Sequence, residues 1–455
     1  MKKIILLIFL SLINLCLFAQ NDTMFLKQTV GSIQKFPIAN IDNIYFKLEN
    51  TNETPYVLPT ISNSGVALPF SVLYTTSNNV EVRNGGFGSA ACAHPYHEGE
   101  FYAMTDRGPN TDATGGKYFP TPNYTPRIGH FKLKEDGTIV KLAEILLKDP
   151  MGNPISGRPN PVGYGSNGEI PYDLDDKTLE YDMYGLDSEG LAAAKDGSFW
   201  VSDEYGPHIV HYSANGTQLE RISPLNIQTG GRKLPAVFQR RWANRGMEGL
   251  AITPDQKTLV GIMQSRFYNP TNAGATNTKL TRIVAFNLLT GHTKQYLYKQ
   301  EIANNSNSEI TALTDSTFLV IERDGKFSAD DANYMKHIYK INISKATDVS
   351  GDFNSMDGLL VNGKTLEANT WEELAAANIF PVKKELAVDL KVALGNYPHD
   401  KLEGIWLIND TKIGVVNDDD FCVWSDPINK VKQKFLSPTN PGTSIDGNRL
   451  YIVNF

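Results

Sequence analysis

Cysteine is scarce, with three in 455 residues, and no Cys-x-x-Cys pair or zinc-ligand spacing occurs. A structural zinc site is therefore excluded. Charge is also thin, at 20% of residues, and its balance of 43 Lys+Arg against 50 Asp+Glu leaves a net −7. Such a surface has no general attraction for phosphate polymers, which excludes nucleic acid as the main partner. Nucleophile signatures are missing: there is no Gly-x-Ser-x-Gly elbow and no His-Glu-x-x-His. After the first twenty residues no apolar run is long enough to span a membrane.

Those first residues, MKKIILLIFLSLINLCLFAQ, place Lys2 and Lys3 before a short apolar run that ends at Ala19-Gln20. This is the pattern of a cleaved secretory signal over residues 1–19, followed by an exported chain of residues 20–455. The run from Ile4 to Ala19 is short of the ~20 residues a spanning helix needs. Leu15 stands where a lipoprotein would carry a small residue before Cys16. Cys92 and Cys422 remain, and either one disulfide or two buried small hydrophobes would account for them.

What the chain does hold is 41% hydrophobic residues, 10% aromatics, 37 Gly and 24 Pro. That is too apolar for disorder and too interrupted for a helical bundle. A repeat organises it. Asp187-Ser188-Glu189-Gly190-Leu191-Ala192, Gly246-Met247-Glu248-Gly249-Leu250-Ala251 and Lys401-Leu402-Glu403-Gly404-Ile405-Trp406 share a Glu-Gly step before a short apolar strand. Ser308-Glu309-Ile310-Thr311-Ala312-Leu313 keeps the Glu alone, and a weaker copy begins at Gly88-Ser89-Ala90. After each comes a turn signal and a second apolar strand ending on polar groups, such as Phe199-Trp200-Val201-Ser202-Asp203-Glu204. A hairpin returns to the edge it left, so the first Glu and the last polar residue share one edge of the sheet. Repeated around an axis, such sheets make an all-β propeller. Five units plus a blade shared by the N-terminal strands (56–74) and the C-terminal strand (449–453) predict six blades, with five or seven as alternatives. A pair of β-sandwiches, with each Glu-Gly a surface turn, is the competing fold. Long Gly- and Pro-rich insertions at 110–125 and 149–182 are expected over the face that carries the strand ends. A third insertion, 353–398, holds a helical stretch at Thr370–Ala377.

The mouth would collect Asp106, Arg107, Glu189, Asp203, Glu204, Glu248, Gln264, Glu309, Glu322, Arg323, Asp324, Glu403, Asn417 and Asp418. Converging carboxylates repel unless a cation or basic side chains intervene. Hard divalent ions, Ca²⁺ above all, take such oxygen ligands. The expected ligands are Glu189, Asp203, Glu248, Glu309, Glu322, Glu403 and Asn417, the alternative being salt bridges between blades. Arg107, Arg245 and Lys401 could clamp an anion. Asp106, Arg107, Glu204, His208 and Arg245 are the catalytic candidates, with His208 placed for acid-base work or simply hydrogen-bonded in its loop. His94 and His97 fall in the turn of the first hairpin and receive no role.

Thr105-Asp106-Arg107-Gly108-Pro109-Asn110, Asp187-Ser188-Glu189-Gly190-Leu191-Ala192, Phe199 through Ile209, Asn244 through Ala251 and Glu322-Arg323-Asp324 resemble the phytase-like propeller family, also called "esterase-like activity of phytase". The resemblance runs from about Gly85 to Asp418. It implies an exported bacterial six-bladed propeller, periplasmic or extracellular, with bound Ca²⁺ and hydrolytic activity on phosphate or carboxylate esters. The expected partner is a small-molecule ester or phosphoester and the expected state a monomer. Two alternatives stand beside it: a non-catalytic propeller that binds a sugar or peptide through its Tyr- and Pro-rich loops, and a lactonase-like enzyme by analogy of fold.

Overall fold

The computed structural model describes residues 23–27, 33–37, 55–227, 229–437 and 443–455. The signal segment lies outside them. The chain divides into two units, Met1–Pro55 and Tyr56–Phe455. Within the first, Thr23–Lys27 and Ile33–Pro37 form an antiparallel hairpin.

The second unit is a propeller of five four-stranded antiparallel sheets. Blade 1 comprises, from the axis outward, Ala90–Ala93, Glu100–Met104, Arg127–Leu133 and Ile139–Leu146. Blade 2 has Ser188–Ala193, Phe199–Asp203, Ile209–Tyr212 and Gln218–Ile222. Met247–Ile252, Thr258–Met263, Leu280–Asn287 and Thr293–Lys299 make blade 3. Blade 4 has Ser306–Ala312, Thr317–Arg323, Lys336–Asn342 and Lys383–Asp389. Blade 5 has Gly404–Asn409, Lys412–Val416, Arg449–Asn454 and Val66–Ala67. The innermost strands pack in a closed circle, each on the next and blade 5 on blade 1.

The expectation of six blades is corrected by the last sheet. The terminal strands do not build a blade of their own; Arg449–Asn454 pairs with Lys412–Val416, and Val66–Ala67 pairs with it in turn, completing the Glu403 unit. A hairpin leaves a free outer edge, and strands from both ends of the chain fill it, which closes the circle.

Each seam between blades carries its own apolar core, because alternate residues of every strand face alternate neighbours. Trp200, Ile209 and Ile222 meet Leu250, Leu259 and Val284 between blades 2 and 3. Trp406, Val416 and Leu450 meet Phe87, Phe101 and Phe131 between blades 5 and 1. The helical insertion forms Trp371–Ala376, started by a Thr370–Glu373 capping box, and packs Leu374 with Leu280 and Leu297 on blade 3. Beside it Arg282 of blade 3 holds Glu367 through Nε and Nη2 at 2.6 and 3.0 Å, both side chains fully buried. Removing one partner strands a buried charge, so Glu367→Ala should cost about 3–5 kcal/mol in urea unfolding, well beyond the effect of a surface Glu→Ala.

Candidate acidic site at the propeller mouth

Strand register decides which side chains reach the axis. Gly190 pairs with Ser202 and Gly249 with Ile262, and in each inner strand the residue before the glycine is a bulge. Those bulged residues are Glu189 and Glu248. The equivalent positions are Ser89, before the Ala90–Met104 pair, and Glu403, before the Gly404–Val416 pair. In blade 4 the bulge falls on Ser308, because Glu309 pairs with Ile321. An inner ring of Ser89, Glu189, Glu248, Ser308 and Glu403 results. On the second strands, two residues past the paired position, Asp106, Glu204, Gln264, Arg323 and Asp418 form an outer ring.

The two rings are stitched together. Gln264 Nε2 donates to Glu248 Oε1 at 2.7 Å and to Glu204 Oε1 at 3.0 Å. Arg323 Nε donates to Ser308 Oγ at 2.9 Å, and its Nη2 pairs with Glu403. Lys401 Nζ lies 2.6 Å from both Asp418 and Asp420. Arg107 reaches Asp187 at 2.7 Å and Glu169 at 2.9 Å, and donates to Asn244 Oδ1 at 2.6 Å. Carboxylate oxygens of Asp106, Asp187 and Glu189 lie within 4.8 Å of one another, all three residues buried.

Burial, then the negative charges of Asp418 and Asp187, hold the Asp106 carboxyl well above its ordinary range. Glu189 is raised by burial and then by Glu248 and Asp187, and Glu204 by burial and the same two neighbours. Burial and the Glu403 charge push Glu248 up to about 8. Buried oxygens of Glu248 (Oε2) and Ser89 (Oγ) have no hydrogen-bond partner among the described residues, whereas Asp187 Oδ2 lies 2.7 Å from Arg107 Nη2.

Several expected residues lie elsewhere. Asp203, Glu322 and Asn417 sit one position before the outer ring, so the pleat turns them away from the axis. Asp203 accepts from the backbone N–H of Asp187 and Gly206, and burial raises it to about 6. Glu322 serves Tyr298, Lys384 and the Glu301 amide. Asn417 is consumed by the backbone of Gly447 and Arg449. Glu309 occupies the place that blades 2 and 3 give to glycine, and its carboxylate faces the amides of Ile310, Ala91 and Leu250 across the axis. The oxygens of Asp203, Glu322 and Asn417 already serve the fold, whereas Glu309 keeps its buried Oε2 without a hydrogen-bond partner among the described residues.

His208 is likewise a packing residue. It is fully buried, with Nε2 donating to Tyr164 O at 3.2 Å and Nδ1 accepting from Ser223 at 3.1 Å, and burial keeps it well below its ordinary pKa. Of the three expected anion clamps, Arg107 and Lys401 are spent on neighbouring acids. Arg245 is half-buried, lies over the Trp242 ring at 4.2 Å, and touches Ser265 Oγ at 3.3 Å. It has no ion pair among the described residues. Cys92 and Cys422 are both free thiols. His94 and His97 lie at the turn of blade 1, with His94 Nδ1 accepting from the Tyr96 and His97 amides.

The insertions form a lid. Thr111–Ala113, Gly116–Tyr118 and Ile170–Tyr172 make a three-stranded sheet, and Glu169 and Asn167 reach down to Arg107 and Asn244. The hairpin Val423–Asp426 and Lys430–Gln433 joins it through Ser425 to Asp112 and Lys430 to Asp176. Sequence reasoning missed Asp187, Glu169 and Asn244 as site residues. Asp187 directly precedes a repeat, and only the return of Arg107 from blade 1 reveals its partner.

A sequence model described as "Phytase-like: Esterase-like activity of phytase" matches residues 82–421, which spans both rings and most of the lid. The chain belongs to the phytase-like family. An "Uncharacterized secreted protein" of Arthroderma benhamiae is 27% identical to this phytase-like chain over 365 residues, covering 61% of it and 69% of the relative. Among solved structures, virginiamycin B lyase from Staphylococcus aureus aligns at 11% identity and a TM-score of 0.28, over 95% of this chain and 88% of that one. The PQQ-bound aldose sugar dehydrogenase of Streptomyces coelicolor aligns at 10% identity and a TM-score of 0.31, over 86% and 100%.

Proposed function

We propose that the phytase-like chain is an exported, calcium-dependent hydrolase of phosphate or carboxylate esters. The observation that carries this reading is the triad Asp106, Asp187 and Glu189, buried with oxygens within 4.8 Å of one another. The donor set is all hard oxygen, and Glu248 Oε2 and Ser89 Oγ add oxygens that lack a partner among the described residues, while Asp187 is shared with Arg107. Such a set suits Ca²⁺ in charge and chemistry. Asp106, Asp187 and Glu189 would hold the ion, with Glu248 and Glu403 beside it. Bound there, it would supply Lewis acidity and an activated water.

The chain's own residues divide the remaining work. Glu248, which Gln264 orients beside the triad, is the group able to move a proton between the attacking water and the leaving oxygen. Arg245, fixed on Trp242 and without a carboxylate pair among the described residues, is the group for the substrate's anionic end. Hydrolysis of p-nitrophenyl phosphate and p-nitrophenyl acetate, followed with Ca²⁺ and with EGTA, tests the reading. Turnover should need Ca²⁺ and fall at least ~100-fold in Glu248→Ala. Arg245→Ala should raise KM about tenfold or more, with unchanged Tm, the size of a lost hydrogen bond to a charged group. Export rests on the basic-then-apolar N-terminus of residues 1–19 and the secreted relative. N-terminal sequencing of the protein from the exported fraction, starting after Ala19, would bear it out.

One observation favours a second reading. The ring residues are at most 8% exposed beneath the lid, and no nucleophile motif is present, as suits a module that binds a sugar or peptide without turnover. Calcium-dependent hydrolysis of any ester or lactone in the same assay would remove it.

A further inference from the structure

We propose a buried monatomic anion site, fitted to chloride, in the seam between blades 1 and 2. Arg221, on the outermost strand of blade 2, is 2% exposed and has no ion pair among the described residues. Its Nη2 donates to Tyr184 O at 3.0 Å, but Nε and Nη1 are buried with no acceptor among the described residues. Two further donors beside it are in the same condition. Gln218, on the same strand and 4% exposed, presents Oε1 to Arg221 Nη2 at 3.5 Å, which leaves Nε2 unpartnered. Tyr212, opposite Gln218 on the adjacent strand and fully buried, has an unpartnered hydroxyl within the field of Arg221.

The guanidinium edge and the amide N–H can only donate, and the phenol, which can also accept, has no donor to it among the described residues, so all three can turn a hydrogen toward one acceptor. Buried donors left unmade are costly, and a buried charge without a counterion more so. Asp203 lies within the field of Arg221 but makes no ion pair with it and accepts from the Asp187 and Gly206 amides, and Asp182 accepts from Ser156 and the Tyr184 amide. Leu147, Ile155, Leu191 and Val210 share the seam core with Tyr212. An acceptor-only anion small enough for that setting satisfies both the hydrogen bonds and the charge. Occupied, the site would tie blade 2 to blade 1 behind Asp203 and His208.

Bromide replaces chloride and scatters anomalously. Crystals of the protein soaked in sodium bromide should show an anomalous peak within hydrogen-bond reach of Arg221 Nε. In solution, with EGTA present so that calcium is not read, exchanging gluconate for chloride at constant ionic strength should raise Tm by about 2 °C and saturate. Tyr212→Phe should raise the half-saturating chloride about tenfold, the loss of one hydrogen bond to a charged partner. Arg221→Gln should abolish the response; if it does not fold, the bromide map and Tyr212→Phe still decide. Absence of a peak at Arg221, or a Tm indifferent to chloride, overturns the site in favour of buried water.

Discussion

Protein stripped of calcium with EGTA at pH 8 and desalted should melt about 3 °C or more below calcium-loaded protein at pH 8, whereas the two should melt nearly together at pH 5. The magnitude follows from mass action, since a ligand at 100 times its Kd adds about 2.7 kcal/mol, spread over the unfolding entropy of a chain this long. Its pH dependence follows from the acids. Glu248, whose ordinary value is 4.5, keeps its proton in the folded protein up to about 8, chiefly through burial and then the Glu403 charge. Asp106, Glu189 and Glu204 are raised in the same direction. Without metal, the folded state therefore binds more protons than the unfolded state between about 4.5 and 8. That contribution is complete below the unfolded value and is lost as pH rises through the folded one. A divalent cation takes over the protons' neutralising role, so its effect grows across the same window. Thermal melts of the stripped, desalted protein at the two pH values, with and without added Ca²⁺, read it directly. An equal shift at both, or none at pH 8, would remove Asp106, Asp187 and Glu189 as a calcium site while leaving the propeller intact.

Gly249→Ala should destabilise the propeller by about 3 kcal/mol or more in urea unfolding, at the upper end of overpacking effects. A Cβ there would lie 2.5 Å from Ile310 N, 2.7 Å from Glu309 C and 2.8 Å from Glu309 Cα. These are backbone atoms of the next inner strand and cannot swing aside. Gly190 stands in the same relation to Leu250 N at 2.5 Å. In blades 2 and 3 the glycine after the ring Glu is thus required by the backbone of the next inner strand, whereas blades 1 and 4 accommodate Ala90 and Glu309 at that position. Gly325→Ala is the control, since its Cβ would meet nothing within 4 Å, and its change should stay within about 0.5 kcal/mol. Comparable costs at both positions would mean that the inner circle yields more readily than its geometry implies.

The same crowding explains how much of the fold could be read from residues. The Glu-Gly step recurs because two constraints recur: a bulged side chain facing the mouth, and a backbone that must touch its neighbour. Both are local and leave a local mark. Glu309 shows where such a mark misleads. It matches the Glu of the other repeats by eye, yet the bulge in blade 4 falls on Ser308, so Glu309 takes the glycine position and its carboxylate lies among backbone amides. Asp203 and Glu204 are adjacent acids at the end of one strand, and only the phase of the pleat sends Glu204 to the axis and Asp203 to its own loop. Blade number was open for a related reason. Terminal strands look alike whether they start a sheet or finish one, and their partner, Lys412–Val416, is distant in sequence.

By itself the sequence determined an all-β propeller with an acid-rich mouth roofed by insertions, because strand alternation, turn chemistry and the glycine step depend on neighbours along the chain. Only the tertiary structure decided that there are five blades, that Arg107 and Lys401 are spent on Asp187, Glu169, Asp418 and Asp420, and that Arg245 is not. Whether a charge is free depends on what another blade brings within about 4 Å of it, and that distance is set by ring closure and strand register.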